Sequence, residues 1–298
     1  LIVTGVQTCA LPIYESEQMV DSLLLGYVFL DTLLASVERH AVDAGSYISV
    51  VGIGHLSFVK TNLTTKIKNS MKRLMWAILL LMAVVSADAA RVIKVLAIGN
   101  SFSEDAIEQY LYELAAAQGD SLVIGNAYIG GCSIDRHWSN AQTGKPEYRY
   151  RKIVGGKTAT RYHVALDDII ADDQWDIISL QQASHFSGLP YTYANLQRLK
   201  DHVLAICPNK QVEIVWHMTW AYAKDSHHHA FRFYRNDQQL MYNNICLTMA
   251  DQLPRVGISR IIPVGMSVQK ARGKMGDVLC RDGFHLNKAY GRYTAACT

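Results

Sequence analysis

Two short stretches of this sequence hold residues able to do covalent chemistry. The first is KVLAIGNSFSED, Lys94 to Asp105, where a run of strand-forming apolar residues stops at Gly99-Asn100-Ser101. A serine between a strand and a helix sits near orphan N–H groups and a dipole that favour negative charge. Ser101 can then offer its hydroxyl as a nucleophile and its own N–H to an oxyanion. The competing reading is a plain helix-capping serine, a role that Ser103 fits as well. The second stretch is RDGFHL, Arg281 to Leu286. Asp282 and His285 stand three residues apart, just before a helix. A carboxylate at that spacing can accept from one imidazole nitrogen while the other faces a cleft, giving the oriented base that a serine nucleophile needs. An Asp capping a turn beside a surface His competes with it. Acyl transfer also needs donors aimed at the developing oxyanion. The Gly131 N–H and the side chain of Gln181 or Gln182 are candidates, against ordinary turn chemistry.

These residues need a scaffold that brings them to one place. From Ala90 the chain alternates strand and helix patterns. Strands are expected over 92–98, 122–129, 175–182, 211–218 and 260–264, and helices over 105–118, 166–171, 193–206 and 236–253. The runs flanking Gly155-Gly156 read as a surface hairpin. Strands separated by helices imply a parallel sheet covered on both faces, a three-layer α/β/α sandwich with a mostly parallel five-stranded sheet. Right-handed crossovers put all strand C-termini on one edge, where ligands bind. The polar punctuation falls at those ends: Gly99-Asn100-Ser101, Gly130-Gly131-Cys132-Ser133, Gln181-Gln182-Ala183-Ser184 and His217 to Trp220.

This succession, ending in Asp-x-x-His, resembles the SGNH (GDSL-type) hydrolase superfamily over nearly all of residues 92–298. GNSFSED and DGFHL resemble a bacterial branch known mainly as a domain of unknown function. The resemblance implies a flavodoxin-like fold, with Ser101 as nucleophile, His285 as general base and Asp282 as its orienting carboxylate. It also implies that the Ser101 and Gly131 N–H groups donate to the oxyanion. The sequence departs from the superfamily pattern in two places. Asn100 stands where Asp is usual. LQQAS replaces the Gly-x-Asn-Asp block whose Asn completes the oxyanion hole. Gln182 is taken as the substitute donor, with Gln181 and Ser184 as alternatives.

His217 and Trp220, in the aromatic run after the fourth strand, are expected to line the substrate cleft, with core packing as the competing reading. His227-His228-His229 reads as an exposed polar loop, because consecutive side chains diverge and chelate poorly. Glu104 and Asp105 read as acids of a helix's first turn rather than a catalytic pair.

The 298 residues are 50% hydrophobic and 18% charged, which fits a folded core, and the formal charge of +3 is scattered. Nothing points to nucleic acid. Met71 to Ala90 has the layout of a secretory signal peptide, with an apolar run shorter than the ~20 residues of a spanning helix. It implies a periplasmic or extracellular protein with no stable membrane anchor after cleavage. Residues 1–70 are expected to be non-native upstream translation, residues 3–13 resembling a translated sequencing adapter. Residues 71–89 are the expected signal peptide and 90–298 the expected domain, truncated at its end. The cysteine spacings match no zinc pattern and suggest no bridge. The expectation is a secreted serine esterase needing no metal or cofactor, acting on O-acetyl groups of a glycan. The alternatives are a lipid esterase or thioesterase, and a non-catalytic glycan-binding protein.

Overall fold

The protein is described by a computed structural model, which covers residues 92–298 and Lys72. The expectations for the upstream segment and signal peptide lie outside the described residues.

The described unit is built on one seven-stranded sheet in the order β4-β3-β2-β1-β5-β6-β7. The strands are β1 (Val92–Gly99), β2 (Ser121–Tyr128), β3 (Tyr148–Val154), β4 (Lys157–Val164), β5 (Ile177–Leu180), β6 (Glu213–His217) and β7 (Ile261–Ile262). Five of them, in the order β2-β1-β5-β6-β7, run parallel. That is the flavodoxin-like arrangement, with its ligand edge at the strand C-termini. The fold is therefore the expected α/β sandwich, with seven strands rather than five. The two extra strands are the hairpin around Gly155-Gly156, which pairs antiparallel with β2 instead of standing off the surface. Its first strand, YRYRKIV, buries Tyr148 and Tyr150 on one face and Ile153 on the other, so both faces of β3 have core to cover. Arg149 also reaches Glu104 at 3.3 Å, tying the hairpin to the first helix.

β1 is apolar on both faces because both are covered: Leu96, Ala97 and Ile98 are all buried. The helix expected over 105–118 is two helices, α1 (Ser101–Ile107) and α2 (Leu111–Ala117). The break falls at Tyr110, whose φ is +72° and whose hydroxyl donates to the Lys288 carbonyl at 3.0 Å. Helix α3 (Ile134–Thr143) was not expected, although it carries both end signals. Ser133 accepts from the Arg136 N–H, and Gly144 closes the helix in the left-handed conformation. The remaining helices are α4 (Leu166–Ile170), α5 (Leu196–Ile206), α6 (Gln238–Arg255), α7 (Val264–Met275) and α8 (Tyr290–Ala296). Among the described residues no helix is long and apolar enough to cross a membrane.

Candidate active site

Ser101 is the first residue of α1, directly after β1. The cap of that helix is neither serine but Asn100, whose side chain accepts from the Phe102 N–H at 3.0 Å. The Asn100 amide also donates to the carbonyls of Cys132 (3.1 Å) and Gln182 (3.4 Å), so one residue ties together the ends of β1, β2 and β5. Because Asn100 does the capping, the Ser101 hydroxyl is left for other work. Ser101 opens its helix, so its N–H has no carbonyl one turn back to bond. A Cβ at Gly99 would lie 2.7 Å from both Gln181 Oε1 and Ser103 Oγ, so the glycine's place is set by close approach.

The other half of the site is the loop from Arg281 to Leu286. His285 Nε2 lies 2.7 Å from Ser101 Oγ, across 184 positions of sequence, and His285 Nδ1 lies 2.7 Å from Asp282 Oδ2. The second Asp282 oxygen accepts from the backbone N–H groups of His285 (2.7 Å) and Phe284 (3.2 Å). Burial alone would raise the Asp282 pKa, but the bonds from His285 and these backbone donors outweigh it and hold the carboxyl below its usual range. The turn passes through Gly283 at φ +87°, a left-handed conformation suited to glycine. Ionised Asp282 fixes the proton on His285 Nδ1, which leaves Nε2 to accept from the serine. The arrangement can activate a hydroxyl for attack on a carbonyl carbon.

A buried carboxylate links the two halves. Asp105, on α1, accepts from Arg281 Nη1 at 3.0 and 3.1 Å and from the Leu286 N–H at 2.7 Å. Arg292 Nη2, on α8, lies 2.6 Å from the same carboxylate, which is fully buried. Asp105 is therefore not a solvated first-turn acid. It pins both flanks of the His285 loop to the helix that carries Ser101, a link invisible in a sequence where its partners stand so far away. Asp105→Ala leaves two guanidinium groups without their carboxylate. It is expected to destabilise the fold by roughly 3–5 kcal/mol, the cost of breaking a buried ion pair, as read by urea unfolding.

The expected oxyanion and substrate residues fare differently. Gly131 is exposed, with φ +62°, in the loop after β2. Gln182 cannot be the third donor. Its amide nitrogen donates to the Thr192 carbonyl (2.9 Å) and hydroxyl (3.1 Å), and its oxygen accepts from the N–H groups of Ile134 (3.0 Å) and Ala183 (2.9 Å). All four bonding positions of that amide are filled, and the residue is buried. The alternatives are also engaged. Gln181 Nε2 meets His217 Nδ1 at 2.7 Å, and Ser184 Oγ meets the Tyr222 hydroxyl at 2.9 Å.

His217 and Trp220 do not line an open cleft, because both are buried. Burial pushes the His217 pKa down to about 4. Trp220 stacks on Phe102 at 4.0 Å between ring centroids and donates its indole N–H to the Phe284 carbonyl at 2.7 Å. It thus buttresses the contact between α1 and the His285 loop. The three consecutive histidines do not all diverge as expected: the His228 and His229 rings stack, with centroids 4.7 Å apart, and His228 is not a plain loop residue. It caps the 3₁₀ turn His229–Tyr234 and packs against Phe284 at 4.8 Å. Among the described residues no group of three or more His, Cys, Asp or Glu side chains is placed to hold a metal ion.

Comparisons with known proteins follow the same outline. The family described as Domain of unknown function (DUF4886) matches residues 94–298. A DUF4886 family protein from Bacteroides uniformis, solved as a crystal structure, is 44% identical, with a TM-score of 0.68 over 70% of this chain and 81% of that one. A family 3 carbohydrate esterase from Clostridium thermocellum is 14% identical, with a TM-score of 0.43 over 70% of this chain and 93% of that one. An acetyl xylan esterase from Geobacillus stearothermophilus is 11% identical, with a TM-score of 0.43 over 68% and 91%. Likeness at those two scores is too distant to speak for chemistry. No curated protein matches the sequence. With both halves of the site and all of the sheet but Val92 and Ile93 inside the matched residues, the chain belongs to the DUF4886 family.

Proposed function

We propose that the protein is a secreted serine esterase that removes O-acetyl groups from a glycan. The observation that carries the reading is the unbroken hydrogen-bonded relay from Asp282 through His285 to Ser101. Ser101 Oγ attacks the ester carbonyl and its proton passes to His285 Nε2. The tetrahedral intermediate places its oxyanion against the Ser101 and Gly131 N–H groups. It collapses with loss of the alcohol, which takes the proton from His285 and leaves an acetyl group on Ser101. Water, deprotonated by the same imidazole, then releases acetate. Asp282 stabilises the imidazolium in both halves of the cycle. No metal or organic cofactor is needed by this scheme. Export rests on the signal-peptide layout of Met71 to Ala90.

A panel of esters tests the acyl preference. Hydrolysis is expected with p-nitrophenyl acetate and acetylated xylan, with kcat/KM falling along the series from acetate to dodecanoate. Rising activity along that series would mark a lipid esterase instead, and binding to xylan with no turnover of any ester would mark a glycan-binding protein.

A further inference from the structure

A row of rings runs outward from His285. Phe284 lies 4.0 Å from the His285 ring and His228 lies 4.8 Å from Phe284. His185 follows at 6.1 Å from His228, then Phe186 at 4.0 Å from His185 and Phe233 at 6.4 Å from Phe186. Three separate segments supply them: the His285 loop, the turn Ser184–Phe186 after β5, and the turn His229–Tyr234 with its cap after β6. In the sheet order, β5 and β6 lie on the opposite side of β1 from β2, which carries the Gly130-Gly131 loop. Phe233 is 44% exposed and the others are half-buried, so the row is an accessible surface.

The row is also preformed. The buried Tyr234 hydroxyl donates to the His185 carbonyl at 3.0 Å and accepts from the Gly188 N–H at 2.9 Å. His228 Nδ1 accepts from the Ala230 N–H at 3.2 Å, which leaves its proton on Nε2. Neither that Nε2 nor the ring of His185 has a hydrogen-bond partner among the described residues. The rings therefore offer apolar faces interleaved with unused polar edges.

The position of the row decides which part of an ester it can hold. His285 must pass its proton to the departing alcohol oxygen as the carbon–oxygen bond breaks. The alcohol portion therefore lies against His285, and the row begins at that residue. Its mixed character fits a sugar, with C–H faces for the rings and hydroxyls for the imidazole nitrogens. An acyl chain would bury those nitrogens without partners, which is costly. Burial, with repulsion from His228 and His229, pushes His185 down to about 4. His228 is lowered too, by burial and by the neighbouring imidazoles, Asp282 opposing the shift. Both shifts favour the neutral imidazoles, and the Arg232 guanidinium lies over the Phe233 ring, 5.9 Å from its centroid, at the far end of the row.

We infer that the row from Phe284 to Phe233 is the subsite for the alcohol portion of the substrate, an oligosaccharide more than one sugar long. The inference rests on reading Ser101 and His285 as an ester-cleaving pair. The test uses the full chain carrying Ser101→Ala, titrated with xylohexaose, hexagalacturonate and hexanoate while the imidazole C–H resonances are followed by NMR. Xylohexaose is expected to move the His185 and His228 signals, and Phe233→Ala, at an exposed position, to weaken its binding about 10-fold. The row would lose this role if those signals stayed still with both oligosaccharides or moved only with hexanoate. Failure of Phe233→Ala and His185→Ala alike to weaken xylohexaose binding would also overturn it. Ser101-dependent hydrolysis of p-nitrophenyl acetate by the wild type is scored separately. Its absence would sink the esterase reading, whereas its presence with silent histidines would sink the subsite alone.

Discussion

Ser101→Ala is expected to lower kcat on p-nitrophenyl acetate by about 10⁴-fold or more, in line with losses when a serine nucleophile is removed from a working triad. Without Oγ there is no covalent intermediate. What survives is the modest rate given by oxyanion donors and binding alone. The loss belongs to chemistry and not to folding, because among the described residues the Ser101 hydroxyl bonds only to His285, across the gap between the two halves. The capping of α1 by Asn100 and the clamp by Asp105 are untouched. The thermal midpoint of the variant should therefore match the wild type. A variant that keeps wild-type turnover would remove Ser101 from the reaction.

The second large effect is expected from Asp282→Asn, at about 10²–10⁴-fold in kcat, KM changing little. Asparagine can keep the acceptor bonds from the Phe284 and His285 N–H groups, so the loop stays in shape. Its amide nitrogen then faces His285 Nδ1, which must accept instead of donate. The proton moves to Nε2, the nitrogen that has to take the Ser101 proton, and the base is lost. The lower end of the range reflects the position of Asp282, whose side chain is 42% exposed, so water can replace part of its role. Rates across a pH series, compared with His285→Ala, check this. A loss confined to KM would show that Asp282 binds substrate and does not orient the base.

The parts of the site that could be read from the sequence are those encoded locally. Gly-Asn-Ser follows an apolar strand, Asp-x-x-His precedes a helix, and the topology of a parallel sheet brings the two to one edge. The parts that could not be read depend on long-range partners or on which way a residue turns once its strand has ended. β5 stops at Leu180, so the alternation that would orient Gln181 and Gln182 has already lapsed, and the Gln182 amide turns inward to Thr192. Trp220 and His217 carry the right chemistry for sugar contact but pack beneath the site, and nothing in an aromatic run separates a floor from a wall. The half-buried rings of the row come from segments around 185, 228 and 284, each unremarkable alone. Asp105 meets its arginines only after folding. The place of β3 in the sheet was legible, since the alternation of Tyr148, Arg149, Tyr150 and Arg151 already marks one apolar face. So was α3, through Ser133 and Gly144.

The central claim is that Ser101 becomes acylated, and mass spectrometry on rapidly quenched mixtures of the protein with p-nitrophenyl acetate measures this directly. One added acetyl group is expected, on the peptide containing Ser101, appearing during turnover and missing in the His285→Ala protein. Sustained hydrolysis with Ser101 unmodified, or with the acetyl group on another residue, would contradict it.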